Sequence, residues 1–178
     1  MNLKTRNSVR DLVSAAMCLA LCMVLPFLTG QIPEIGGMLC PMHIPVLLAG
    51  FICGPWYALA VGFLAPPLRF VMFGMPPLMP TGLAMAFELA TYGLIVGLLY
   101  RKLAKNIPNI YLSLVGAMVA GRVVWGAATA IIMSAMGGRI YWTTFISGAV
   151  VTAIPGIILQ LVLIPLLVYA LRKARVIE

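Results

Sequence analysis

Thr81-Gly82-Leu83-Ala84-Met85-Ala86-Phe87-Glu88-Leu89-Ala90-Thr91-Tyr92-Gly93-Leu94-Ile95-Val96-Gly97-Leu98-Leu99-Tyr100 is a twenty-residue run with one ionised side chain, and Arg101-Lys102 closes it. At 1.5 Å per residue such a helix is about 30 Å long, the thickness of the hydrocarbon layer of a bilayer. The composition around it agrees. Hydrophobic residues make up 63% of the 178 residues and charged ones 9%, against about 25% charged in an ordinary soluble domain. A water-soluble fold this apolar would leave too little polar surface for water, so the long runs of Leu, Ala, Val, Ile, Met and Gly are directed at lipid.

Working outward, the sequence predicts six helices, at 12–29, 43–53, 56–73, 81–100, 110–136 and 144–171. A loop with Gln31, Glu34, Gly36, Gly37 and Pro41 precedes the second helix, which is short, tilted or extended by loop, and broken by Gly54-Pro55. A proline-rich loop at 74–80, an inner loop at 101–109 and a turn at Gly137-Gly138-Arg139 complete the connections. The fold class expected is an all-α integral membrane protein, a six-transmembrane-helix bundle forming one membrane domain over 1–178.

The net charge of +8 is not a nucleic-acid signature. Nine of the twelve basic residues fall in three clusters: Lys4, Arg6, Arg10; Arg101, Lys102, Lys105; and Arg172, Lys173, Arg175. Each flanks an apolar run, the pattern of cytoplasmic loops, and no basic stripe interleaves with aromatics. Four crossings between the first two clusters and two between the last two put all three on one side. Both termini are then cytoplasmic, and the loops near 30–42, 74–80 and 137–143 are external. The first apolar run follows a basic N-terminus but ends at Pro26-Phe27-Leu28-Thr29-Gly30 without a small-x-small cleavage site, so it reads as a retained helix rather than a signal peptide. Cys18, Cys22, Cys40 and Cys53 do not make a disulfide framework and read as small, mostly buried apolar residues.

Small residues recur four apart: Ala16/Ala20, Gly50/Gly54, Ala58/Gly62, Gly93/Gly97 and Ala117/Gly121. In lipid such pairs let helix backbones approach closely. Most should pack inside the bundle, and Ala16/Ala20 is the candidate for a docking face.

Charge at membrane depth is costly and marks cavities or pathways. Glu88 is expected about 10 Å below the outer end of the fourth helix, Arg122 near mid-membrane in the fifth, and Arg69 toward the outer end of the third. Tyr92 shares a face with Glu88, and Trp125 and Thr129 share one with Arg122. With Gln160 of the sixth helix and His43 at the start of the second, these residues offer cations, an acid, an amide and aromatic walls, suited to a small, polar, partly flat ligand. The plainer readings are an ion pair that only holds helices together, and an Arg69 that snorkels to the interface. Cys40-Pro41-Met42-His43 has copper-like donors, but a polar cap on the second helix is the preferred account, and no metal site is expected. No paired-carboxylate, HExxH, GxSxG or P-loop pattern occurs, so no catalytic residue is assigned and the chain is not expected to be an enzyme.

Pro41-Met42-His43-Ile44-Pro45-Val46, followed by Gly50 and Gly54-Pro55, and then Phe87-Glu88-Leu89-Ala90-Thr91-Tyr92-Gly93 running into Gly97-Leu98-Leu99-Tyr100-Arg101, resemble the substrate-binding S-components of energy-coupling factor (ECF) vitamin transporters, in order and over nearly the whole chain. The resemblance implies a vitamin or related micronutrient bound from outside, in a pocket of the outer halves of helices four to six. It implies docking on a transmembrane coupling protein through the first helices by an Ala-xxx-Ala pattern, matched by Ala16 and Ala20. It also implies two cytoplasmic ATPases that use ATP to drive reorientation, so that this chain carries no cofactor of its own in the cell membrane. Pantothenate is a candidate ligand because its carboxylate suits Arg69 or Arg122; folate, a pyridine vitamin or a queuosine precursor stay open. The competing readings are a membrane enzyme acting on a lipid head group and a structural membrane subunit without ligand.

Overall fold

A computed structural model describes residues 3–29, 32, 38–104, 106–137, 154–174 and 177, with side chains from residue 9 onward. Gln31, Glu34, Gly36, Gly37, Lys105, Gly138, Arg139, Arg175, the side chains of Lys4 and Arg6, and the first part of the expected sixth helix, 144–153, lie outside the described residues.

The described residues are helical and connect as α1 (Leu3–Val24), a 3-10 turn (Leu25–Thr29), α2 (His43–Ile52), α3 (Pro55–Phe73), a π-type turn (Leu78–Gly82), α4 (Leu83–Lys102), α5 (Ile107–Ala135) and α6 (Ile154–Lys173). Five segments are long and apolar enough to cross a membrane: Val9–Leu28, Pro55–Phe73, Leu78–Lys102, Ile107–Ala135 and Ile154–Lys173. With ten residues, α2 spans about 15 Å, half the hydrocarbon layer. It is therefore not a complete crossing by itself.

Local chemistry explains the boundaries. Helix α5 starts earlier than hydropathy alone suggests because Asn106 caps it: its Oδ1 accepts from the Asn109 N–H at 3.1 Å, and a proline occupies the first turn, where its missing N–H costs no helical bond. Helix α3 begins after Gly54, at φ 86°, and ends at Gly74, at φ 72°. Both conformations favour glycine. Within α3, Pro66 and Pro67 each remove a donor to the preceding turn.

Helix α4 is the centre of the bundle, packed against α2, α3 and α5, while α1 leans on α2 and α3. The glycine pairs make this approach possible. A Cβ at Gly93 would lie 2.5 Å from the Ala58 carbonyl oxygen, one at Gly97 2.5 Å from the Pro55 nitrogen, and one at Gly62 would run into the Leu89 backbone. Helices α3 and α4 thus touch backbone to backbone where residues 55–62 meet 89–97, the close packing that small residues permit in lipid. Ala16 and Ala20 differ: both are exposed on α1, whereas Ala15, Cys18 and Cys22 turn inward.

Basic residues collect at one end. Arg10 lies near the start of α1, Arg101 and Lys102 end α4, and Arg172 and Lys173 end α6. At that end the Arg101 Nη2 donates to the Cys53 carbonyl at 3.3 Å, and its guanidinium fills the space a side chain at Gly54 would need.

A buried polar cluster around Glu88

Glu88 lies in the second turn of α4, on the side of the bundle away from the basic end, and is 1% exposed. A carboxylate so placed needs partners, because an ion removed from water without them is strongly disfavoured. Three side chains from three helices supply them, and among the described residues all converge on one oxygen. Tyr92, one turn along α4, donates its hydroxyl to Oε1 at 3.1 Å. Arg122 of α5 places Nη1 3.3 Å from Oε1, and His43 of α2 places Nε2 at 3.7 Å. The His43 and Tyr92 rings meet edge to face with centroids 5.3 Å apart.

Each partner has a structural reason to be there. Glu88 and Tyr92 share a face through their four-residue spacing. The Tyr92 ring lies in the space where a Cβ at Gly121 would sit, so the glycine before Arg122 lets α5 close on the ring. His43 arrives because α2 is short. It opens α2, and its backbone N–H donates to the Cys40 carbonyl at 3.0 Å, so the segment 38–42 descends to the depth of Glu88 before the helix begins. That segment also packs on α6, where a Cβ at Gly156 would lie 2.6 Å from the Met38 carbonyl oxygen.

Cys40 joins the cluster from this segment. Its thiol hydrogen-bonds with Arg122; burial pushes its pKa up to about 11, and the Arg122 charge only partly offsets that. It is a neutral thiol rather than a nucleophile. Among the described residues no group of three or more His, Cys, Asp or Glu is placed to hold a metal ion.

The cluster is incompletely satisfied. Both ring nitrogens of His43, Nε of Arg122 and Oγ1 of Thr129 are buried without a hydrogen-bond partner among the described residues. Buried polar atoms are nearly always paired, so each of these asks for a partner beyond the described residues, a water or a ligand. Trp125 is half-buried on α5 one turn beyond Arg122. Gln160 is buried on α6, but no hydrogen bond among the described residues joins it to Glu88.

Arg69 has other company. It is buried, and Nη1 donates to the Met23 carbonyl of α1 at 2.6 Å, with its guanidinium carbon 5.3 and 5.2 Å from the Phe27 and Phe73 ring centroids. In the 3-10 register after α1, the Met23 carbonyl would look to Pro26, which has no N–H to give. Arg69 supplies that donor and rests between two aromatic faces, a favourable cation–π setting. It ties α3 to the end of α1, apart from the contacts of Glu88.

A family model described as ECF transporter, substrate-specific component, matches residues 10–168. The comparisons with curated proteins and with solved structures returned no match.

Proposed function

The chain belongs to the ECF-transporter substrate-specific components, and on that premise we propose that it binds a small polar micronutrient, such as a vitamin, at the cluster of Glu88, Tyr92, Arg122 and His43. Substrate-specific components are membrane-embedded transporter subunits rather than enzymes, and they work with a coupling and ATPase module. In our reading this chain takes its ligand from outside at the cell membrane. It hands the ligand inward by reorienting on a transmembrane coupling protein, while two cytoplasmic ATPases spend the ATP and the chain holds no cofactor. Ala16 and Ala20, exposed on α1, are the proposed docking face. The basic ends of α1, α4 and α6 face the cytoplasm in this arrangement.

One observation carries the binding role: among the described residues, four buried polar atoms of His43, Arg122 and Thr129 lack hydrogen-bond partners beside a carboxylate that has them. An ion pair serving only to join helices would leave no reason to bury further unpaired donors and acceptors next to it. Trp125 and Gln160 stand at the margin of this site. Arg69 is assigned to holding α1 rather than to the ligand. The case for pantothenate depended on an arginine free to meet its carboxylate; with Arg69 on Met23 and Arg122 on Glu88, folate, a pyridine vitamin and a queuosine precursor are no less suitable.

Native mass spectrometry of the purified protein tests the binding role without knowing the ligand. Wild type is expected to carry a small molecule that a Glu88→Gln/Tyr92→Phe variant of unchanged fold has lost. The same bound molecule at the same occupancy in both proteins would move the site elsewhere.

A further inference from the structure

The charge balance of the cluster narrows the ligand, an inference that rests on the binding role proposed above. Glu88 contributes one negative charge and Arg122 one positive charge, held 3.3 Å apart. Tyr92 donates its phenolic proton to Glu88 and is therefore neutral. The Cys40 thiol is protonated, and the Arg69 guanidinium is engaged with Met23 and two aromatic rings. Among the described residues the acid and the guanidinium of the cluster thus offset one another before any ligand arrives.

An anionic ligand meets an obstacle here. It either adds an uncompensated charge to a low-dielectric interior or draws Arg122 away, stranding the Glu88 carboxylate until it takes up a proton. The cluster does have unused neutral hydrogen-bonding capacity. Among the described residues, Arg122 Nε is a donor without a partner, Thr129 Oγ1 donates or accepts, and the His43 ring has two nitrogens to offer. Their complement is a carbonyl oxygen beside an N–H, with no net charge. We propose that the ligand is electrically neutral and is recognised through a carboxamide or ring-lactam edge by Arg122 Nε and His43, which meet at Glu88, with the Glu88–Arg122 pair left intact.

Matched probes differing in charge decide this on the wild-type protein in detergent: nicotinamide against nicotinate, and panthenol against pantothenate. The neutral member of at least one pair is expected to raise the unfolding temperature and, by titration, to bind at least about tenfold more tightly than its acid, with affinity level across neutral pH. Acids that bind as tightly as their neutral partners overturn the proposal. So does affinity that climbs as pH falls, the mark of a proton taken up in the cluster by Glu88 or His43. A lack of response to every probe overturns the carboxamide or lactam class, while a co-purified molecule lost in the Glu88→Gln/Tyr92→Phe variant would keep the binding role standing. In Glu88→Gln alone Arg122 is unbalanced, so the preference is expected to swing toward the acids; an unaltered preference for the neutral probes counts against the charge argument.

Discussion

At the scale of single residues, Glu88 and Arg122 are not equivalent probes of the cluster. Arg122→Met leaves a buried carboxylate that, among the described residues, faces Tyr92 and His43 alone, and losing one partner of a buried pair typically costs about 3–5 kcal/mol. Glu88→Gln keeps an acceptor for Tyr92 and leaves the unpaired charge on Arg122, whose side chain is 21% exposed. It is the cleaner test of binding. We expect Glu88→Gln to weaken affinity for a neutral ligand roughly tenfold or more, because Arg122, released from the carboxylate, no longer holds its Nε beside His43. Its effect on ligand-free stability should be smaller than that of Arg122→Met. Titrations beside unfolding curves separate the two effects, and unchanged affinity in folded Glu88→Gln would reduce the pair to a helix fastener. Cys40 gives a second test. With its thiol pushed up to about 11 by burial, alkylation in a variant lacking Cys18, Cys22 and Cys53 should accelerate about tenfold per pH unit from neutrality upward, because only the thiolate reacts. A rate that levels off near the free-cysteine value of about 8.5 would show an exposed thiol.

At the scale of helices, two glycines on α5 make opposite predictions. A methyl group at Gly121 meets the Tyr92 ring, whereas one at Gly116 meets only Leu99 Cδ1 at 3.2 Å, the tip of a flexible side chain. Gly121→Ala should lower both the unfolding temperature and ligand affinity by displacing Tyr92 from Glu88. Gly116→Ala should be nearly neutral, since the leucine can turn aside and alanine favours the helix by up to about 1 kcal/mol. Equal behaviour of the two variants in thermal melts and titrations would mean that α5 does not close on Tyr92 as described. On α1 the small residues face outward, so Ala16→Trp or Ala20→Trp should leave the fold and ligand binding intact. Each should abolish co-purification with the coupling protein, since an indole holds the partner helix away. Normal complex formation and uptake by both variants would remove this face from the docking surface.

At the scale of the whole molecule, the direction in the membrane follows from where the cations lie. Arg101 and Lys102 end α4 just before α5 begins, and α5 then runs 29 residues to Ala135, about 43 Å. Its two ends therefore emerge on opposite faces. A cysteine placed at exposed Asn106 should resist a membrane-impermeant reagent in intact cells, and one at exposed Met136 should react, in a background without native cysteines. The reverse pattern would invert the bundle. With the basic ends inside, as proposed, Glu88 would lie in the outer half, since about 20 Å of α4 separates it from Arg101.

Sequence alone was enough to determine the membrane class, the long helices, the basic clusters and the small-residue faces expected to pack inside the bundle. Each is a local or periodic property: twenty apolar residues, a run of cations, small side chains four apart. Glu88 and Tyr92 could be grouped for the same reason, because helix geometry alone puts them on one face. Asn106-Ile107-Pro108 was a legible start signal for α5 that hydropathy overlooked. Only the tertiary structure decided which faces meet. His43 reaches Glu88 because α2 begins deep in the bundle, a depth set by packing and not by its own residues. Arg69 stays apart from the cluster because packing brings its guanidinium to the Met23 carbonyl and the Phe27 and Phe73 rings, groups 42 to 46 residues earlier and 4 later in the chain. A sequence reveals that a buried charge must find a partner, but that partner is chosen by how the helices pack.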